Sequence, residues 1–170
     1  MLIVFSGLPG SGKTTIARAL ASHLRAAYLR IDSIEQALRN GGLAEVGKAG
    51  YEVANALARS NLARSNLALG NRVVADCVNP VAESRQAWQG LAEAEQSRLL
   101  NVEVICTDIA EHRRRVESRE ADVPGLRPPS WQSVLDHDYQ AWSGERLKLD
   151  SSLLSPAEAV RIILEHLETL

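Results

Sequence analysis

Gly7-Leu8-Pro9-Gly10-Ser11-Gly12-Lys13-Thr14 has the spacing G-x-x-x-x-G-K-[ST], and these residue types suit one task, holding a row of phosphates. Glycines let backbone N–H groups turn inward around an anion, and the positive end of a following helix adds to the pull. Lys13 is placed to reach the β- and γ-phosphates. The Thr14 hydroxyl suits Mg²⁺, and Thr15 falls near the α-phosphate. Leu8 to Thr15 are thus the expected nucleotide-binding residues, with ATP and Mg²⁺ as the expected cofactors.

Two acids complete the candidate chemistry. Asp32 is expected to end a strand over residues 28–31, and Asp76 follows Val73-Val74-Ala75. In open α/β sheets, ligands collect at the carboxyl ends of strands. Asp32 can serve there as the base for an attacking hydroxyl, or as a helix cap with Ser33 sharing the job. Asp76 is the candidate magnesium-side carboxylate, paired with Thr14 as metal ligand. Asp32, Asp76 and Asn79 together form the expected acceptor side. Asn79 fits either a ligand hydrogen bond or the cap of a helix opened by Pro80. Arg30 fits either the steering of an anionic substrate or an exposed strand-end arginine.

Positive charge comes from Glu111-His112-Arg113-Arg114-Arg115-Val116-Glu117-Ser118-Arg119. Arg115 and Arg119 share a helical face, and Arg127 follows among prolines and Gly125. The expectation is a lid over about residues 112–130 that closes on ATP through Arg115, Arg119 and Arg127. The competing reading is a solvated helix in which Glu111, Glu117 and Glu120 pair with the arginines. Lys13, Asp32 and Arg119 are the expected catalytic residues.

The elements that must position these groups alternate along the chain. Strands are expected over residues 2–6, 28–31, 72–75, 102–107 and 147–149. Helices are expected over 13–26, 33–38, 51–69, 81–98, 109–120, 131–142 and from Ser155-Pro156-Ala157-Glu158 toward Leu167. Alternation of this kind predicts a three-layer α/β/α fold, with five parallel strands, right-handed crossovers and helices on both faces, as one domain over residues 1–170. The short repeat LARSN, at residues 57–61 and 62–66, reads as chance within an amphipathic helix. Trp131, Tyr139 and Trp142 read as core packing under the lid. The histidines, His23, His112, His137 and His166, form no metal pattern and read as surface or core groups.

The chain of 170 residues is 45% hydrophobic, enough for a real core, and its formal net charge is -2. That near balance argues against coating nucleic acid. No apolar run is long enough to span a membrane, and the first residues read as a strand rather than a leader. Cys77 and Cys106 lack metal-ligand spacing and read as small core residues in a reducing cytoplasm. Cys77 also stands where many motor ATPases place a water-activating glutamate. There is no N-K-x-D guanine reader and no LSGGQ-like signature. The leading expectation is a kinase that moves the γ-phosphoryl group of ATP to a small-molecule hydroxyl. Two alternatives stay open: a nucleotide-dependent hydrolase or switch, and a nucleic-acid end kinase, whose sign would be a broad basic stripe.

Taken together, GLPGSGKTT, IDSIEQAL, VVADCVNP and the basic helix resemble small P-loop kinases of the AAA-like predicted-kinase group. Within it the chain is most similar to chloramphenicol phosphotransferase and more distantly to zeta toxin. That resemblance implies the P-loop NTPase fold, with its five parallel strands in the order 2-3-1-4-5, and a base role for Asp32, through Ile31-Asp32-Ser33-Ile34-Glu35-Gln36-Ala37. It matches Asp76 and Trp88 to the strand end and helix that follow, and it implies that the loop after the fifth strand borders the adenine. The P-loop departs from the serine-rich loop of the antibiotic kinase, and residues 40–50 do not resemble a drug pocket. Gluconate and adenylylsulfate kinases share the P-loop style, but the longer substrate-binding motifs of adenylylsulfate kinases are missing, and Ile34 stands where shikimate kinases place a second acid.

Overall fold

Five buried residues in succession, Leu2–Ser6, form strand β1 in the computed structural model, which describes residues 1–62 and 72–169. A run buried on both sides demands cover on both faces. Strands β2 (Ala27–Arg30), β3 (Val73–Asp76), β4 (Leu99–Ile105) and β5 (Leu147–Asp150) complete one sheet. Its order is β2-β3-β1-β4-β5, and every adjacent pair is parallel. The expected topology is therefore present.

Parallel neighbours require crossovers, and the helices that make them cover both faces. Helices α1 (Lys13–Leu24) and α7 (Pro156–Thr169) bury Ile16, Leu20, Ala159 and Ile163 against Ile3, Phe5, Val102 and Val104. On the other face, α3 (Ala49–Leu62) and α4 (Ala82–Ala94) bury Ala54, Ala58, Trp88 and Leu91 against Leu2, Val4 and Val73. Full burial of a large apolar side chain such as Ile16 or Leu20 contributes roughly 1.5–3 kcal/mol. Three more helices sit at the carboxyl edge or beyond it: α2 (Ile31–Asn40), α5 (Ile109–Glu117) and α6 (Trp131–Leu135).

Several ends differ from their sequence expectations, for local reasons. Helix α1 stops at Leu24 because Arg25 turns left-handed, φ 51°, and its N–H bonds back to Ser22 and Ala21 carbonyls. Helix α6 stops at Leu135 rather than continuing to Trp142. The chain beyond it is drawn to the loop before α4: Gln140 N–H bonds the Pro80 carbonyl at 2.9 Å, and Arg85 bonds the carbonyls of Gln140 and Ala141 at 2.7 and 3.1 Å. Helix α4 starts at Ala82, with Val81 at the cap position. Helix α7 begins with the expected cap. Ser155 N–H bonds Glu158 at 2.8 Å and Glu158 N–H bonds the Ser155 hydroxyl at 3.3 Å, a reciprocal capping box. The second LARSN copy after its first residue, Leu62, and the expected continuation of α3 to residue 69 lie outside the described residues. Among the described residues, no helix is long and apolar enough to cross a membrane.

Candidate active site

The loop between β1 and α1 is shaped by close approach. A Cβ on Gly7 would lie 2.2 Å from the Val104 carbonyl oxygen, so only glycine lets the loop cross β4 there. At Gly10, φ is +81° and a Cβ would lie 2.4 Å from Val116 Cγ2. The loop delivers the chain to α1 with Gly12 at the cap position, no capping side chain and no acid in the first turn. The first N–H groups of a helix have no partner within it. An uncapped positive helix end with a buried lysine beside it has the charge and the free N–H groups that suit an anion. Lys13 is 7% exposed, and its Nζ donates to the Leu8 carbonyl at 3.5 Å, a long bond that a phosphate oxygen can replace. The Ser11 hydroxyl is buried without a partner.

Above this helix end opens a cavity of about 510 Å³ lined by Gly10, Gly12, Lys13, Thr14, Thr15, Arg18, Arg115, Arg119, Glu120 and Asp122. It brings together most of the expected nucleotide-binding residues. Leu8, Pro9 and Ser11 lie in the loop that frames it, and Arg127 is outside its lining. A larger hollow of about 680 Å³ lies between α4, the start of β4 and residues 142–147. It holds none of the candidate residues, so size does not locate the chemistry here.

Helix α5 forms the wall over the loop. His112 is buried, and its Nε2 lies 2.8 Å from the Pro9 carbonyl, which requires the ring N–H at that atom. Its ring meets Trp131 edge-on at 5.2 Å. His112 is thus a buried packing group, while Trp131 is only half-buried against it rather than part of the core. Arg115 is tied in place: Nε donates to Glu111 at 2.7 Å, and its other two nitrogens bond the hydroxyl and carbonyl of Ser151 at 2.8 and 3.1 Å. The hydrogen bonds from Arg114 and Arg115 hold the Glu111 carboxyl down at about 2. The loop after β5 thus sits against the P-loop through Ser151. Asp150, just before it, is held ionised: burial alone would raise its pKa, but bonds from Ser152 and Thr107 bring it to about 2.

On the other side of the P-loop, Asp76 and Asp32 lie at one edge of the sheet, since Asp76 ends β3 in register with Phe5 and with Arg30, two residues before Asp32. Asp76 is 2% exposed and accepts the Tyr28 hydroxyl at 2.7 Å. Burial, then the Asp76 charge, raises the Tyr28 pKa, so Tyr28 stays a donor. Asp32 does not end β2. It lies in the first turn of α2, whose cap position is Arg30 with no side-chain cap bond, so neither Asp32 nor Ser33 caps that helix. Its carboxylate stays open, one-third exposed, with Arg30 at 3.2 Å and Arg119 at 3.6 Å. Arg30 is not the exposed arginine of the simpler expectation; it is 4% exposed. Burial pulls its pKa down, but the bond to Asp122 and the charges of Asp32, Asp122 and Asp76 outweigh that and raise it. Asp122, in the segment expected as a lid, accepts from Arg30 at 2.7 Å and from Arg18 at 2.8 Å. The Arg30 hydrogen bond lowers its carboxyl to about 2.

Asn79 is fully buried with φ 51° and does not cap α4. Its amide donates to the Ser6 hydroxyl at 3.0 Å, and its backbone N–H donates to the Tyr51 hydroxyl at 2.9 Å. It fastens the end of β3 to the end of β1 and to α3. Cys77 is buried in the core as expected, and burial raises its thiol pKa, which keeps it protonated and inert.

A sequence profile described as an AAA domain matches residues 2–128. The chain belongs to this AAA domain family. Solved structures agree on the fold over nearly all of this AAA domain. A presumed kinase of Chloroflexus aurantiacus superposes with TM-score 0.76 at 21% identity, covering 99% of this chain and 96% of that one. The APS kinase of Mycobacterium tuberculosis in complex with AMPPNP and APS gives 0.65 at 20%, covering 98% and 96%. A gluconokinase of Sinorhizobium meliloti gives 0.64 at 21%, covering 98% and 91%. At these identities the likeness establishes the fold alone. No curated protein matches the sequence.

Sequence reasoning passed over Arg18, Asp122, Tyr28 and Tyr51. Arg18 had a signal: it stands one helical turn beyond Thr14, and both line the same cavity. For Asp122 the signal was weak, because its hydrogen-bonded partners lie 92 and 104 residues away and only the looser Arg119 contact is local.

Proposed function

We propose that this AAA domain is an ATP-dependent kinase that transfers the γ-phosphoryl group to a hydroxyl of a small molecule. The observation that carries the reading is the common edge. An uncapped helix end with Lys13, and two carboxylates, Asp32 and Asp76, lie at the same carboxyl side of one parallel sheet. The first group suits the donor phosphates, and the open carboxylate of Asp32 suits the acceptor.

In this mechanism Lys13 and the first-turn N–H groups of α1 hold the β- and γ-phosphates, with Thr15 beside the α-phosphate. Asp32 takes the proton of the acceptor hydroxyl as its oxygen bonds to the γ-phosphorus, and the bond to the bridging oxygen of ADP breaks. Arg119, already within 3.6 Å of Asp32, supports the charge on the moving phosphoryl group. Thr14 and Asp76 would hold Mg²⁺. The buried carboxylate of Asp76 fits a cation. When bound, that ion would supply neutralising charge to the phosphates. Arg115 and Arg127 are assigned to the lid, Arg115 as its fastening to Ser151. Asn79 acts by holding the acceptor wall in shape. Acceptor candidates include hydroxylated metabolites, nucleosides and, on the likeness of residues 31–37 to chloramphenicol phosphotransferase, hydroxylated antibiotics. We place the enzyme in the cytoplasm, where ATP is supplied and Cys77 and Cys106 stay reduced.

The test is a screen of such acceptors with γ-labelled ATP, repeated with Asp32→Asn. Label should pass to one acceptor class, and Asp32→Asn should depress that transfer far more than ATP binding. Full transfer by Asp32→Asn would remove the base assignment.

A further inference from the structure

The phosphate cavity holds more charge than the nucleotide reading has used. Its lining includes four cations, Lys13, Arg18, Arg115 and Arg119, and two anions, Glu120 and Asp122. Arg115 is committed to Glu111 and Ser151. Arg119 is only loosely held, at 3.6 Å from Asp32 and 3.9 Å from Asp122, beyond good hydrogen-bond distance. Arg18 is held at 2.8 Å by Asp122.

We propose that Arg18 is a further phosphate-binding residue of the donor site, and that the lid carboxylate Asp122 stands in for the phosphates on it until ATP arrives. This rests on reading that cavity as the ATP site. The placement suits the role. Arg18 lies four residues beyond Thr14 and three beyond Thr15 on α1, and helical side chains lean toward the N-terminus, here toward the anion site. Its side chain is half exposed, so it moves without disturbing the core. The exchange leaves no carboxylate stranded. Asp122 keeps its 2.7 Å bond to the buried Arg30 when Arg18 turns to a phosphate. A half-exposed pair such as Arg18–Asp122 is weak, whereas an arginine on a phosphate makes strong charge-assisted bonds. ATP therefore wins Arg18, but at the cost of displacing an internal competitor.

The experiment is a calorimetric titration of the full chain with AMPPNP and Mg²⁺, for wild type, Lys13→Ala, Arg18→Gln, Asp122→Asn and the Arg18→Gln/Asp122→Asn double variant. Melting temperatures without nucleotide check that each variant is folded. Arg18→Gln should weaken binding about tenfold, the value of one charge-assisted contact. Asp122→Asn keeps an oxygen for Arg30 but removes the competing charge, and should tighten binding by about two- to five-fold. In the double variant the gain from Asp122→Asn should vanish. Binding by Arg18→Gln within twofold of wild type, or weaker binding by Asp122→Asn, overturns the proposal and leaves the pair a simple lid latch. Unchanged binding by Lys13→Ala, or none by wild type, overturns the donor-site reading itself.

Discussion

Replacing Gly10 by alanine asks two things of the P-loop at once. The residue holds φ +81°, and an L-residue in that left-handed region costs roughly 1–2 kcal/mol. The new methyl would also lie 2.4 Å from Val116 Cγ2 and 3.2 Å from His112 Cδ2. Val116 is 3% exposed and cannot turn outward, so α5 must shift. Overpacking of this kind costs about 1–3 kcal/mol. The sum, about 2–5 kcal/mol, is a large part of the about 5–15 kcal/mol that holds a domain folded. Gly42 separates the two effects, because it has φ +97° and no atom within 4 Å of the place an alanine methyl would take. Gly42→Ala should show the backbone cost alone. Urea melts of both variants give the difference, and Val116→Ala combined with Gly10→Ala should recover a coupling energy of about 1–3 kcal/mol. Equal losses for Gly10→Ala and Gly42→Ala, with no coupling to Val116, would refute the packing of α5 on the loop.

Three further outcomes follow from the geometry. Asp32→Asn should lower phosphoryl transfer by about 10²-fold or more while ATP affinity by calorimetry changes little, since general-base catalysis is worth about 10²–10⁴. Asn79→Ala loses the bond to Ser6 and puts alanine at φ 51°, so a urea melt should show a loss of about 2–3 kcal/mol, smaller for Asn79→Gly. Asp122 has a carboxyl lowered to about 2 by Arg30, so its contribution is complete above its unfolded value near 4 and fades as pH falls through about 2. The stability gap between wild type and Asp122→Asn should be level above about pH 4 and close toward about pH 2; a gap that widens with acid would contradict the Arg30 pairing.

Much of the donor half was legible because its signal is local. The P-loop spacing, the apolar run of β1 and the helix that follows lie close together in the chain, and alternation implied a parallel sheet, whose order came with the family resemblance. The acceptor side was harder. Asp32 was expected to close β2, yet the strand gives way to α2 without a linking residue, so no turn signal marks the boundary. Arg30 looked like a surface group because its burial depends on Asp122, which the chain supplies only after β3 and β4. The stop of α6 at Leu135 was hidden for the same reason, since the bonds that pull residues 140 and 141 away come from Arg85 and Pro80. Periodicity reports what a segment can do alone, and these choices are made by partners far off in sequence.

Transfer from ATP to a small-molecule hydroxyl is decided most directly by the fate of the γ-phosphate. The chain should be incubated with γ-labelled ATP, Mg²⁺ and panels of hydroxylated metabolites, nucleosides, antibiotics and oligonucleotides. The expected result is stoichiometric label on one small-molecule class, lost in Lys13→Ala. Label appearing only as free phosphate, or only on oligonucleotide ends, would contradict it.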